Sequence, residues 1–141
     1  MMARQRVDGQ EAAMSAFDEY RRQRTMLLAT RKRDGATVGT PVNVAVGSDG
    51  RAYFRTWSAT GKVKRMRNYP QVWIAPCTAR GKPTGPQQQA TALPLSGPGA
   101  AEAAKALAAK YPLLQGLLVP VFHRLTKKTT VHYELLPPEA A

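Results

Sequence analysis

Residues 53–70 read Tyr-Phe-Arg-Thr-Trp-Ser-Ala-Thr-Gly-Lys-Val-Lys-Arg-Met-Arg-Asn-Tyr-Pro, and this stretch decides the fold prediction. An aromatic strand is followed by a Ser-Ala-Thr-Gly turn, which opens a helix that Pro70 ends. Four cations crowd the first turns of this helix: Lys62, Lys64, Arg65 and Arg67. Cations are unfavourable there, because a helix N-terminus already carries about half a positive charge. A bound phosphate would remove the conflict, since backbone N–H groups, a hydroxyl and an ammonium can converge on it.

The composition favours an anionic ligand or partner. The chain has 141 residues and a formal net charge of +12, with a sequence pI of about 10.5. Its length fits one domain over residues 1–141, in which residues 1–9 are expected to be flexible. No apolar run approaches the roughly 20 residues needed to span a bilayer, and the first residues show no apolar signal segment. Cys77 is the only cysteine, so an intrachain disulfide is excluded and a reduced, cytoplasmic setting is expected.

Apolar periodicity along the chain predicts a mostly antiparallel sheet with flanking helices. Helices are predicted over Glu11–Arg22 and Pro98–Lys110, and a broken helix over Leu113–Leu125, which Pro120 interrupts. The consecutive hairpins favour a small barrel over an open sheet, in an α+β protein that is mainly β. The predicted strands are Met26–Thr30, Val38–Val46, Ala52–Trp57, Gln71–Thr78, Gln87–Leu95 and Thr129–Leu135.

The start of the basic helix is the first candidate site. Thr60, Lys62 and Lys64 can form a phosphate cradle, in which the threonine donates its hydroxyl and the lysines supply charge. An ordinary solvated helix face is an equal alternative from this segment alone. Arg55 and Trp57 precede the turn at the end of the strand, and the small turn residues let the backbone approach a ligand, which favours a site.

The neighbouring strand carries a second candidate region, Thr40-Pro41-Val42-Asn43. Proline cannot donate a ladder hydrogen bond, so Pro41 is expected on a sheet edge or where pairing is interrupted. Backbone groups left free there can contact the edge of a planar ligand, although an ordinary edge strand has the same pattern. Arg80 and Lys82 flank a Gly/Pro-rich loop, where they can either clamp negative charge or simply be solvated.

Other chemistries lack their motifs. His123 and His132 are the only histidines and have no acidic residues at ligand spacing, so no metal site is expected. The sequence contains no Gly-x-Ser-x-Gly, Walker-type or dinucleotide-fold glycine motif. Nothing in it supports hydrolytic chemistry.

The order of several short motifs resembles the flavin/deazaflavin oxidoreductases of the pyridoxamine 5'-phosphate oxidase-like split β-barrel superfamily. Within it the chain is most similar to the branch that uses coenzyme F420 in place of FMN. The resemblance covers about residues 15–136 and implies an FMN-binding-like split β-barrel that dimerises, with the cofactor between two subunits. The motifs are Leu27-Leu28-Ala29-Thr30, Asp34-Gly35, Thr40-Pro41-Val42, Phe54-Arg55-Thr56, Lys62 and Tyr69-Pro70.

The resemblance also implies which residues bind the cofactor. The Ser-Arg-Lys pattern common in FMN-binding relatives is Thr60-Gly61-Lys62 here, which is consistent with the deazaflavin branch. The implied residues are Thr60, Lys62 and Lys64 at the phosphate, and Thr40, Pro41, Val42, Asn43, Arg55, Thr56 and Trp57 at the ring. The charge of the chain supports the same cofactor, because a basic groove would suit the polyglutamate tail of F420, with Arg65, Arg67, Arg80 and Lys82 around it.

The expected function is therefore hydride transfer from reduced F420 to an unsaturated small organic acceptor, by an enzyme whose acid–base residues the sequence does not indicate. Its expected partners are the cofactor, the substrate and a second copy of the chain, with neither nucleic acid nor membrane. An FMN-binding oxidase or reductase of the same fold is the main alternative. Two non-catalytic alternatives are a nucleic-acid binder that stacks bases on Trp57, Tyr69 and Trp73, and a haem-binding protein with His123 or His132 as ligand.

Overall fold

The computed structural model describes residues 16–111 and 130–138. A 3-10 helix, Asp18–Arg21, precedes the first strand. The two α-helices within these ranges are α1 (Gly61–Asn68) and α2 (Gly97–Lys110). The strands are β1 (Thr25–Arg31), β2 (Thr37–Val42), β3 (Val44–Val46), β4 (Ala52–Trp57), β5 (Gln71–Cys77), β6 (Gln88–Pro94) and β7 (Thr130–Leu136).

All the described strands belong to one antiparallel sheet, in the order β2-β1-β5-β6-β7-β4-β3. Its two edge strands, β2 and β3, are consecutive in the chain and only Asn43 separates them. The sheet must therefore curl until its edges meet, which makes it a barrel. β2 also contacts β4, although the two strands do not pair. The predicted class, a mainly antiparallel β-barrel with flanking helices, is confirmed.

The prediction of one strand over Val38–Val46 is wrong, because the chain changes partner at Asn43. Val42 pairs with Met26 of β1, whereas Val44 pairs with Phe54 of β4. Both valines are buried, so the alternation of buried and exposed residues continues across the break. That continuity hid the change of partner from the sequence pattern. The expectation for Pro41 is confirmed, because β2 is an edge strand.

Other elements differ from the prediction mainly at their ends. In the described part of the predicted helix Glu11–Arg22, Ala16 is α-helical and Asp18–Arg21 form the 3-10 helix, and its beginning lies outside the described residues. The predicted helix Leu113–Leu125 also lies outside them. The predicted alanine-rich helix is confirmed as α2. Pro98 lies in its first turn, where a backbone N–H has no acceptor within the helix, so the N–H that proline lacks is not missed.

The barrel interior is an apolar core to which most strands contribute. Phe54 of β4 stacks on Tyr133 of β7, with ring centroids 5.0 Å apart and planes inclined by 7°. Phe17 and Tyr20, around the 3-10 helix, are fully buried against this core. Met66 of α1 also belongs to the core. The helix that opens the predicted site is therefore anchored directly to the barrel.

The C-terminus of α2 is fixed to the barrel by a lysine and a tyrosine. The Lys110 ammonium donates to the carbonyl oxygens of Tyr20 (2.7 Å), Gln23 (2.5 Å) and Val44 (2.7 Å). Burial lowers the pKa of Lys110 to about 8, so the ammonium is still mostly charged at neutral pH. The Tyr111 hydroxyl donates to the carbonyl oxygen of Arg24 or Val44, at 2.7 and 2.9 Å, and accepts from the Val44 N–H.

We expect Lys110→Met to lower the free energy of unfolding by about 2–4 kcal/mol, because three carbonyls lose a charged donor. Urea denaturation followed by circular dichroism measures this loss. Lys105→Met is the matched control, since Lys105 is exposed on the same helix and is expected to change stability by less than about 0.5 kcal/mol. Equal stability of the two variants would contradict a structural role for the Lys110 contacts.

Candidate anion-binding site at the barrel seam

The barrel has an unpaired seam between β2 and the end of β4. β3 pairs with residues 52–54 of β4, and among the described strands this pairing does not continue to Arg55 and Thr56, which pair with β7. Continuing the β3–β4 register backwards places positions 43, 42 and 41 opposite 55, 56 and 57. These pairs do not form, because the chain turns at Asn43 to join β1. The seam therefore separates two of the predicted groups: Thr40, Pro41, Val42 and Asn43 on one lip, and Arg55, Thr56 and Trp57 on the other.

Side chains on the two lips alternate between the interior and the outside of the barrel. Val42 and Thr56 are buried, with 8% and 5% of their surfaces exposed. The Thr40 hydroxyl is also buried and has no hydrogen-bond partner among the described residues. Arg55 lies on the outer face, half-buried, and Trp57 is 45% exposed. The seam thus combines an unsatisfied polar atom, a cation and an accessible ring.

The start of α1 lies directly after the β4 lip and offers backbone donors. Thr60 is the N-cap residue, but its side chain does not cap the helix. Its hydroxyl donates to the Trp57 carbonyl oxygen at 2.9 Å, so it is engaged within the turn and is not directed at a ligand. The first turn contains no acidic residue. N–H groups of this turn therefore remain available to an anion, as helix N-termini commonly are.

Arg65 folds back over the beginning of its own helix. Its Nε atom donates to the Thr30 hydroxyl at 2.6 Å, which joins α1 to β1. A Cβ atom built on Gly61 would lie 2.8 Å from the Arg65 Nη1 atom. Gly61 thus leaves room for a guanidinium beside the helix start. The sequence pattern alone could not show this contact, because Thr30 and Arg65 are 35 residues apart.

Burial makes the cations around the helix start costly. Burial, with the Arg65 charge as a second cause, lowers the pKa of Lys62 below its usual value of 10.5. Burial also lowers the pKa of Arg55. Among the described residues the ion pairs are Arg21–Asp18 and Arg51–Asp49, so no carboxylate compensates these charges there. A phosphate group would compensate them.

The remaining predicted residues lie away from this point. Lys64 is exposed on α1. Arg80 and Lys82 are exposed on the turn after β5, where Gly81 has φ of +88° and packs against Pro41. This turn follows Cys77, which pairs with Thr25 at the start of β1, whereas Arg65 contacts Thr30 near the end of β1. Gly81 also lies near Leu27, three residues before Thr30, so the turn is about 10 Å along β1 from the Arg65 contact at about 3.4 Å per residue.

No protein-family model and no curated protein matches the chain by sequence. Solved structures are similar in fold. A protein of unknown function from Agrobacterium tumefaciens superposes with a TM-score of 0.66 at 20% identity, over 89% of this chain and 53% of that chain. HutZ, a heme storage protein of Vibrio cholerae, gives a TM-score of 0.64 at 12% identity, over 89% of this chain and 90% of that one.

A Listeria innocua protein that bears the name of pyridoxamine 5'-phosphate oxidase gives a TM-score of 0.55 at 10% identity, over 91% of this chain and 94% of that one. Together with the curled seven-stranded sheet, these neighbours show that the chain has the pyridoxamine 5'-phosphate oxidase-like split β-barrel fold. The chain spans only about half the length of the Agrobacterium protein. Within the described ranges no helix is long and apolar enough to cross a membrane, and no cluster of His, Cys, Asp and Glu could hold a metal ion.

The depressed pKa of Lys62 predicts that removing this charge stabilises the protein in the absence of ligand. We expect Lys62→Met to unfold at a higher temperature than the parent at pH 7. The advantage should shrink as the pH rises towards 10.5, because Lys62 then loses its proton in the folded parent before it does in the unfolded chain. Thermal unfolding at pH 7 and pH 10 tests this.

Lys64→Met is the control for this prediction, since Lys64 is exposed two residues further along the same helix. Its melting temperature should follow that of the parent at both pH values. A Lys62→Met protein that melts below the parent at pH 7 would mean that the Lys62 charge stabilises the fold.

Proposed function

We propose that the protein is an oxidoreductase that binds reduced coenzyme F420 at the seam and transfers hydride to an unsaturated small organic acceptor. The observation that carries this proposal is the uncapped start of α1, which has no acidic residue in its first turn and has the half-buried Lys62 and Arg65 beside it. This arrangement suits a phosphate-bearing ligand.

The described residues fit the phosphate of such a cofactor. N–H groups of the first turn of α1 can donate to phosphate oxygens, and Lys62 and Arg65 can supply charge. Arg55 and Trp57 on one lip and Pro41 on the other line the adjacent outer surface, where a planar ring could lie. A deazaflavin bound there would supply hydride transfer, while the protein positions the ring and excludes water from it.

F420 is favoured over FMN by charge and by the residue at position 61. A polyglutamate tail suits a chain of net charge +12. Gly61 stands where FMN-binding relatives commonly carry arginine, and Arg65 lies over it. Arg65 can replace part of that missing charge, so FMN remains the main alternative. A titration must therefore compare the two cofactors directly.

A homodimer belongs to the proposal. The loop of Arg80 and Lys82 packs against Pro41, about 10 Å along β1 from the Arg65 contact, and in the proposal its cations reach the tail of a cofactor held at α1 of a second subunit. The outer face around Pro41, on which their loop packs, would then lie close to that subunit's site.

Haem binding is a second candidate function, which one contact favours. His132 lies opposite Arg55 in the register of β7 and β4, beside the seam, and its Nε2 atom is buried. An imidazole next to a guanidinium suits haem iron and a haem propionate. The fold likeness to HutZ, a heme storage protein, supports testing this alternative.

The deciding experiment is a titration of the purified protein with F420, FMN and hemin, followed by fluorescence for the first two and by absorbance for the third. We expect micromolar or tighter binding of F420 and weaker binding of the others. Preferred FMN binding would support the proposed phosphate site but would identify FMN, and not F420, as the cofactor. Preferred hemin binding, with a spectrum that His132→Ala alters, would replace the proposed function.

Lys62→Ala tests the phosphate role directly. The loss of one charge-assisted contact, about 1.5–3 kcal/mol, should weaken F420 binding by about 10- to 100-fold. Lys105→Ala is the control with the same change of net charge and should bind F420 as the parent does. A folded Lys62→Ala protein with the affinity of the parent would contradict the assigned site.

A further inference from the structure

One end of the barrel carries a dense group of cations, which we call the basic end. Its cations come from two segments: the end of β1 with the turn after it, and helix α1. Two contacts hold the segments together. Arg65 donates to Thr30 at 2.6 Å, and the Arg31 guanidinium lies 4.6 Å from the centre of the Tyr69 ring. The members of the basic end are Arg31, Lys32, Arg33, Lys62, Lys64, Arg65 and Arg67.

Acidic groups of the described residues do little to neutralise the basic end. Asp34 is its one carboxylate neighbour in sequence, and an oxygen of Asp34 accepts the Ala36 N–H at 2.9 Å. Helix α1 has no acidic residue in its first turn and none elsewhere. The described ion pairs, Arg21–Asp18 and Arg51–Asp49, involve no member of the basic end. The like charges therefore repel one another unless an external polyanion binds.

The turn after β1 presents its cations on a defined backbone. The Lys32 N–H donates to the Ala36 carbonyl oxygen at 2.7 Å, and the Gly35 N–H donates to the Lys32 carbonyl oxygen at 3.0 Å. Gly35 has φ of +92°, which closes the turn tightly. Five members of the basic end are exposed: Arg31, Lys32, Arg33, Lys64 and Arg67.

The surface chemistry distinguishes between two kinds of polyanion. Binding to a lipid surface usually adds apolar side chains that insert between headgroups. Two large apolar side chains, Trp57 and Leu93, are exposed among the described residues, and neither belongs to the two segments of the basic end. Arginine is the preferred side chain for nucleic-acid phosphates, and three of the five exposed cations are arginines. A phosphate backbone fits this surface better than a membrane does.

We propose that the basic end is a docking surface for the phosphate backbone of double-stranded nucleic acid, read without sequence specificity. The turn and α1 form two adjacent rows of cations that can contact phosphates along a duplex. The proposal does not depend on the proposed cofactor, because the exposed cations of the turn are separate from the N–H groups at the start of α1.

The test measures the anisotropy of a fluorescein-labelled 20-base-pair DNA duplex with the full chain at several NaCl concentrations. If the five exposed cations each contact a phosphate, log Kd should rise with log salt with a slope of about 4.5, at about 0.9 per contact. Affinity should then fall on the order of 500-fold between 50 and 200 mM NaCl. An RNA duplex of the same sequence should bind with a similar salt slope.

The double variant Lys32→Gln/Arg33→Gln locates the surface. We expect at least a fivefold loss of duplex affinity at 50 mM NaCl and a slope lower by about 2. The control variant is Arg22→Gln/Arg24→Gln, which removes the same charge from two exposed residues just before the start of β1. Its affinity for the duplex should be within twofold of that of the parent. F420 titration and thermal unfolding of both variants should match the parent, which separates this surface from the cofactor site and from folding.

Three outcomes would overturn the proposal. The first is no duplex binding by 10 μM protein at 50 mM NaCl. A basic surface that binds without sequence specificity should have a Kd below 10 μM at this low salt concentration. The second is an equal loss of duplex affinity in both double variants, which would show that binding depends on the net charge of the protein and not on the basic end. The third is binding to vesicles of phosphatidylglycerol and phosphatidylcholine without duplex binding, which would assign the basic end to anionic lipid.

Discussion

The change of partner at Asn43 is the constraint on which the rest of the structure depends. One residue sends consecutive strands to opposite edges of the same sheet, so the sheet has to close on itself. The closure is incomplete, because β3 pairs only with residues 52–54 of β4, and β2 contacts β4 without pairing with it. The candidate site lies along this gap because β4 continues directly into α1.

The two candidate surfaces near α1 have a common physical cause. Lys62 and Lys64 lie near the helix start, where its dipole disfavours cations. The prediction that Arg65 and Arg67 also lie there is wrong, because α1 is short and both are in its last turn. The described ion pairs give none of these cations a carboxylate partner. Local arrangements that lower the stability of the fold are common at functional sites, because a bound ligand can compensate charges and polar groups that the protein leaves without partners. Half-buried Lys62 and exposed Arg67 both lack a carboxylate among the described ion pairs, and their surroundings suit a small anion and an extended one, respectively.

The sequence predicted the strands, α2, the edge position of Pro41 and the fold class, because these depend on local periodicity and on proline chemistry. It missed the break at Asn43, since the valines on both sides of it are buried and keep the alternation. It also missed the hydrogen bond between Arg65 and Thr30. It predicted that the Thr60 hydroxyl donates to a bound phosphate, whereas in the structure this hydroxyl donates to the Trp57 carbonyl oxygen. Contacts between distant segments leave no local signal, so the arrangement of the candidate site could not be predicted in detail.

Pro41 has a further consequence for how the protein behaves at high concentration. A barrel with an unpaired seam exposes a strand edge, and such edges recruit strands of other molecules into aggregates. Proline removes a donor from β2 where its second side is open, so an incoming strand would lose a hydrogen bond at that point. Pro41 thus makes the edge of β2 less suited to intermolecular strand addition.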